Sequence, residues 1–316
     1  MTENAVLLAR VQAGQLIEAD EVSEEYRQLL IETLTITADT ELLGALMHYD
    51  NLYHERVPEP FVGTLLAITQ DEFGHAHIAY RLLEDLGVDI DYLLWERPAQ
   101  RFKHPYAMDM LYTTFAESAL IGFLQDRAGF HLLGDVYRTT SYAPWKRALA
   151  KVDREEVFHM RFGERAVTML ARSPEGRQQL QRALDWMFPI TVEWFGQPDH
   201  LKRRDRQLEF RLKSKTNDQL RQDWLTEVVP FLTRLGLRVP AHYDEAQDAY
   251  VLDYPFPCRF LPEEKRWDFS SPVSWEEVRA RWRQRGPYNE YLVQTLRTGR
   301  TLLTALQLQA AGEVSQ

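Results

Sequence analysis

The chain has 316 residues, 45% of them hydrophobic, which is enough for one large domain or two smaller ones and too apolar for a disordered chain. A formal net charge of −10 argues against general nucleic-acid binding, and a single cysteine, Cys258, excludes both an internal disulfide and a thiolate metal cluster and fits a reducing, cytoplasmic setting. No apolar run reaches the roughly eighteen residues of a membrane span, and "MTENAVLLARVQAGQLIEADE" lacks the basic-then-apolar order of a signal peptide.

Apolar residues at helical spacing predict a helix from about Ser23 to Asn51, broken by the prolines of "HERVPEP". A second helix runs from about Pro60 to Leu86 and stops at Gly87. A connection rich in Trp, Pro and charge (Val88 to His104) leads to a third helix from Pro105 to Leu133. "GDVYRTTSYAP" reads as a turn, followed by a helix over Trp145 to Ala171. "RSPEG" places a serine N-cap and a first-turn proline ahead of a fifth helix, Pro174 to Phe195. Beyond the basic stretch "HLKRRDRQLEFRLKSK", a helix capped by Thr216 or Asn217 precedes an extended arm with a small hairpin (Val239 to Pro272). Helices near Ser274–Arg285 and Asn289–Leu308 close the chain. The fold class is all-α: a four-helix bundle over 1–200, with a C-terminal helical extension over 201–316 packed on it.

Two of these helices carry the same polar cluster. "ITQDEFGHAHIAY" and "KVDREEVFHMRFG" each place a glutamate three residues before a histidine, so Glu72 with His75, and Glu156 with His159, share a helix face. A four-helix dinuclear carboxylate site needs two such pairs and one further carboxylate from each of the other two helices. Glu41 and Glu117 are the acids in the apolar stretches preceding each pair. Antiparallel neighbours meet at equal distance from their turn. The midpoint of Glu41 and Glu72, 56.5, falls in "HERVPEP", and that of Glu117 and Glu156, 136.5, falls in "GDVYRTTSYAP". The expected ligands are therefore Glu41, Glu72, His75, Glu117, Glu156 and His159, with Glu72 and Glu117 as the carboxylates closest to catalysis. Hard oxygen donors with one nitrogen per ion suit two iron ions, or manganese, better than zinc. Asp71 and Glu155 are placed to orient a histidine on the neighbouring helix. His48 falls two turns after Glu41 and is placed to line the same cavity, with Ala45, Ala67, Ala76 and Leu120 as further wall residues. His77, His104 and His131 read as packing or surface residues. Asp126 falls nine residues after Glu117, on roughly the opposite side of a regular helix.

"TQDEFGHAHIAYRLLEDLG", "YRTTSYAPWKRALAKVDREEVFHMRFGERA" and "KTNDQLRQDWLTEVVPFLTRLGLRVP" resemble the catalytic A subunits of the bacterial phenylacetyl-CoA ring epoxidases, which are multicomponent monooxygenases. The resemblance runs from about residue 20 to residue 245. It implies a ferritin-like bundle with a di-iron centre that inserts one atom of O2 into the aromatic ring of a CoA thioester. It also implies electrons from a separate flavin and iron–sulfur reductase, small accessory subunits, and a homologous structural partner that holds no metal. Asn217 matches a position near the substrate, and Lys213, Lys215 and Arg221 are the cations placed to meet CoA phosphates. Glu117 stands where relatives carry an aspartate, Ile68 where they carry a lysine, and His48 and Tyr49 replace a "PEG"-like segment. The alternatives are a ferritin-like iron oxidase or storage protein, and a non-catalytic structural component of such an oxygenase.

Overall fold

Described over residues 3–54 and 56–313, the computed structural model is all-α apart from two small hairpins. A short helix α1 (Glu3–Gln12), absent from the sequence reading, precedes α2 (Glu24–Tyr53), whose N-cap Ser23 accepts from the Tyr26 amide. α3 (Glu59–Asp85) ends just before Gly87, whose φ of +79° is the left-handed conformation that terminates a helix. α4 (Phe115–Leu120), a π-helical turn (Ile121–Gln125) and α5 (Asp126–Thr139) continue one another. α6 (Ala143–Leu170) and α7 (Pro174–Trp194) follow, the latter capped by Ser173 as expected. The α2–α3 hairpin packs through α3 on α6, which also packs on α4 and α5. This is the ferritin-like bundle. From Glu41 to His48, α2 is buried on every side, so Glu41 and His48 lie inside the protein, as does Asp39 just before them.

Two boundaries differ from the sequence reading, each for a local reason. "GDVYRT" is the last turn of α5 rather than a loop, because the carboxylate of Asp135 is engaged elsewhere. It accepts from the Ser214 amide (2.7 Å), the Ser214 hydroxyl (2.6 Å) and the Lys215 amide (3.1 Å). The turn proper is Thr140–Tyr142, held by Ser141, whose amide donates to the Arg211 carbonyl (2.8 Å) and whose carbonyl accepts from the Ile17 amide (2.8 Å). The third helix begins at Phe115, not Pro105. Thr114 caps it and Glu117 completes the capping box.

The connection after α3 is tied to the bundle by the buried Asp39. Its carboxylate accepts a bidentate pair from Arg97 (2.7 and 2.9 Å), the Tyr80 hydroxyl (2.7 Å) and the Lys103 amide (2.6 Å). This brings residues 101–105 against α2 beside Glu41.

The C-terminal region comprises α8 (Arg206–Glu209), α9 (Asn217–Arg234, capped by Thr216), α10 (Trp275–Gln284) and α11 (Asn289–Glu313). Where an arm with one hairpin was expected there are two antiparallel hairpins. β1 (Ala241–Asp244) pairs with β2 (Ala249–Leu252), Ala241 opposite Leu252, and β3 (Cys258–Leu261) pairs with β4 (Arg266–Pro272), Phe260 opposite Trp267. Indole donors join this region to the bundle: Trp224 to the Leu124 carbonyl and Trp267 to the Trp186 carbonyl, both at 2.9 Å.

Candidate metal centre

Glu41 from α2, Glu72 and His75 from α3 and Glu156 from α6 bring their ligand atoms within 4.8 Å of one another inside the bundle. His75 Nδ1 lies 3.3 Å from Glu41 Oε2 and 3.5 Å from Glu156 Oε1. His159 Nδ1 lies 3.1 Å from Glu72 Oε1 and 3.7 Å from Glu156 Oε2, and the two rings are 5.8 Å apart. The outer nitrogens are held across the α3–α6 contact. His75 Nε2 meets Glu155 Oε2 at 3.0 Å, and His159 Nε2 meets Asp71 Oδ2 at 3.4 Å. These are the partners expected of the two acids that precede the ligand glutamates. With Nε2–H donated outward, each Nδ1 lone pair faces the cluster.

Electrostatics show what such a cluster lacks. Burial and the negative charges of Glu41 and Glu156 push the Glu72 carboxyl well above its ordinary range, and burial with Glu41 does the same to Glu156. Burial is the largest influence on Glu41, but the hydrogen bonds with His75 and Glu72 and the charges of His75 and His159 together outweigh it and the carboxyl is lowered. His75 is raised to about 9 because Glu41 and Glu156 outweigh its burial. His159 falls to about 4 through burial and the charge of His75. His159 Nδ1 and Asp126 Oδ2 are buried with no hydrogen-bond partner among the described residues. Converging carboxylates and unpartnered donor atoms fit cations, whose charge would reverse these shifts.

Asp126, at the start of α5, is a further buried carboxylate that interacts electrostatically with this cluster. Its pKa is raised to about 7 by burial and by Glu41, and its charge acts in turn on Glu72 and Glu156. Glu117, expected among the ligands, is not brought into the Glu41–Glu72–His75–Glu156 cluster. Glu117 Oε2 accepts from the amides of Thr113 (2.7 Å) and Thr114 (3.0 Å), and Oε1 accepts from Trp186 Nε1 (3.2 Å) and Lys265 Nζ (2.6 Å). It is a helix cap and ion-pair partner. The π turn between the two acids turns less per residue than an α-helix, so Asp126 is not on the face that regular spacing assigns it. The signal was available in the turn. The position midway between 126 and 156 is 141, inside Thr140–Tyr142.

The π turn also touches α6 at backbone distance. A Cβ on Gly163 would lie 2.2 Å from the Gly122 carbonyl carbon and 2.3 Å from the Phe123 nitrogen, so only glycine permits the approach. Gly163 is one turn beyond His159.

The sequence matches the phenylacetic acid catabolic protein family over residues 6–285. It is 31% identical over 257 residues to the A component of the 1,2-phenylacetyl-CoA epoxidase of Escherichia coli (strain K12), covering 79% of this chain and 82% of that relative. The chain belongs to the phenylacetic acid catabolic protein family. The family match extends past residue 245, where the sequence resemblance was expected to end, and takes in β1–β4 and α10.

A cavity of about 890 Å³ reaches Glu41 from α5, α9, α10 and the 100–105 connection. Its wall is apolar, with Phe102, Leu132, Leu133, Val136 and Trp145, and Thr33, Thr37 and Thr40 carry it along α2. Arg101, Lys103, Lys213, Arg279, Arg283 and Arg285 line it against one acid, Glu41, in a chain that is otherwise acidic. Of the expected substrate residues, Lys213 and Asn217 are in the wall, joined Nζ to Oδ1 at 2.8 Å. Lys215 and Arg221 are not: Lys215 pairs with Asp223 at 2.5 Å, and Arg221 with Asp218 and the Gly196 carbonyl (2.7 Å). Nor do Ala45, Ala67, Ala76 and Leu120 line it. His48 is buried near His159, with Nδ1 unpartnered and its pKa held at about 3, first by burial and then by His159. The cations beside the cavity come from three separate segments, around 101–103, at 213 and at 279–285, and the fold brings them to one wall. Among the described residues no helix is long and apolar enough to cross a membrane.

Proposed function

We propose that this chain is the oxygenase component of a multicomponent monooxygenase, in which a di-iron centre and O2 serve to epoxidise or hydroxylate an (aryl)acyl-CoA such as phenylacetyl-CoA. One observation carries the reading: a buried cluster of Glu41, Glu72, His75 and Glu156, with His159 against it, lies beside an apolar cavity that Glu41 and several cations line. Glu41, Glu72, His75, Asp126, Glu156 and His159 would hold the ions, and this donor set suits iron, with manganese as the alternative. Bound there, the metal pair supplies reduction of O2 beside the cavity, one oxygen atom entering the ester and the other leaving as water with two electrons and two protons.

The chain's own residues do the rest. Asp71 and Glu155 fix the imidazoles so that Nδ1 faces inward. Phe102, Leu132, Leu133, Val136 and Trp145 exclude water around the acyl group. Arg101 and Lys103, neither of which has a side-chain ion pair among the described residues, take the CoA phosphates, with Lys213 and Asn217 on the facing wall. The reading includes a separate flavin and iron–sulfur reductase, a homologous structural partner without metal, small accessory subunits and a cytoplasmic location. It is supported by a relative that is itself one component of a larger epoxidase.

The test is oxygen uptake by the iron-loaded protein with a surrogate reductase and a panel of aryl-CoA esters. Uptake that depends on the ester and adds one oxygen atom to it is expected, and Glu72→Ala abolishes it. Rapid oxidation of ferrous ion with no dependence on any ester would replace the proposal with an iron oxidase or storage protein.

A further inference from the structure

One face of α5 forms a wall of the cavity that reaches Glu41. Its wall residues Gly129, Leu132, Leu133 and Val136 are spaced i, i+3, i+4 and i+7, and each keeps part of its surface open. Thr33, Thr37 and Thr40 do the same from α2. The two helices run antiparallel across the cavity in one register. At one end the Tyr26 hydroxyl meets Ser141 Oγ at 2.7 Å, at the other Glu41 acts on Asp126, and both pairs share the midpoint 83.5. On that register Gly129 stands level with Ala38, between Thr37 and Thr40. It is one turn past Asp126, about 4.5 Å along the axis at 1.5 Å per residue, and so is the wall residue of α5 nearest the metal cluster.

Nothing in the fold requires glycine at this position. Gly129 lies inside a helix, where glycine is disfavoured relative to alanine, and its φ is not left-handed. A Cβ built on it would meet no atom within 4 Å, whereas one on Gly163 would run into the backbone of the π turn. Gly63, Gly74 and Gly299 are equally unobstructed, but of these four only Gly129 borders the cavity. What the missing side chain leaves is room at the metal end. Resting on the acyl-CoA reading, we infer that Gly129 is a specificity-determining residue, the ring of an arylacyl group lying against α5 in the space that a side chain at 129 would fill. A flat ring packs on bare helix at the usual carbon–carbon separation of about 3.5–4.0 Å, and a larger residue at 129 takes that place itself. Leu132 and Leu133, one turn on, complete the apolar floor.

The test is titration calorimetry of the full, iron-loaded chain, without reductant, against phenylacetyl-CoA and acetyl-CoA. Wild type should prefer phenylacetyl-CoA about ten- to a hundredfold, the worth of burying one aromatic ring. Gly129→Leu should hold acetyl-CoA as wild type does and lose the preference, binding both esters within about twofold of each other. Wild type binding both esters alike, or Gly129→Leu keeping the preference, overturns the inference and leaves the acyl-CoA reading standing. Wild type binding neither ester removes both. Should Gly129→Leu not fold, Gly129→Ala decides, since its methyl group meets nothing within 4 Å. Its preference for phenylacetyl-CoA should fall about threefold with acetyl-CoA unaffected, and an unchanged preference overturns the inference.

Discussion

Gly163→Ala tests how the bundle positions Asp126, the proposed fourth carboxylate, beside the cluster. The added Cβ would sit 2.2 Å from the Gly122 carbonyl carbon, 2.3 Å from the Phe123 nitrogen and 2.6 Å from the Gly122 oxygen, where about 3.5–4.0 Å is comfortable. All three are backbone atoms and cannot rotate away, so α6 and the π turn must part by more than about 1 Å. Overpacking of this kind costs about 1–3 kcal/mol, and the backbone contact puts the value near the upper end. With an unfolding entropy of about 2.1 cal/mol/K per residue, 3 kcal/mol in a chain of this length lowers Tm by about 4–5 °C. Because Glu156 and His159 lie on α6 and Asp126 directly follows the π turn, metal content should fall as well. Gly63→Ala is the control: nothing lies within 4 Å of its added Cβ, and an exposed helical alanine should gain about 0.5–1 kcal/mol. Calorimetry and metal analysis on the two variants read both effects. A Gly163→Ala protein that melts with or above wild type and keeps its metal would refute the account of this contact.

The remaining predictions concern single side chains. Asp126→Asn should lose about one metal ion per chain, whereas Glu117→Gln should keep its metal and lose about 1–3 kcal/mol of stability through its weakened bond to Lys265. Metal analysis and melting of the pair separate the two roles. Glu193, buried beside Arg281, has its pKa raised to about 7, chiefly by burial. A carboxyl raised in the folded state destabilises as it ionises. Relative to Glu193→Gln, wild type should therefore lose about 3 kcal/mol as pH rises from about 4.5 to 7 and stay level above. Chemical denaturation at stepped pH checks this, and a difference independent of pH would contradict it. Arg101→Ala and Lys103→Ala should each weaken acyl-CoA binding about tenfold at low salt and less at high salt, by titration calorimetry. An unchanged affinity would remove these side chains from the phosphate site.

Helical spacing and antiparallel geometry made much of the site legible in the sequence. The two E-x-x-H pairs and Glu41 converge because α2, α3 and α6 are regular helices and the first turn lies where the prolines put it. Asp71 and Glu155 followed from their neighbours by the same geometry. Asp126 was lost for two reasons. Asp135 and Gly134 read as a loop because the 214–215 segment that engages Asp135 is distant in sequence, and a π turn leaves no mark in hydrophobic periodicity. The cavity cations were illegible for another reason. "HLKRRDR" and "RLKSK" draw attention as charge runs, yet of "RLKSK" only Lys213 reaches the cavity wall while Lys215 is neutralised by Asp223, and Arg101, Lys103 and the arginines at 279, 283 and 285 join that wall through tertiary packing. His104 reads as a packing or surface histidine, and it is buried against Asp109 across a 3-10 turn.

Quantifying metal in the purified, iron-loaded protein tests the central claim most directly. Two irons per chain, lost together when Glu72 and Glu156 are replaced by alanine in a protein that stays folded, is the predicted result. A folded wild type that takes up no iron, or a double variant that still holds two, would contradict it.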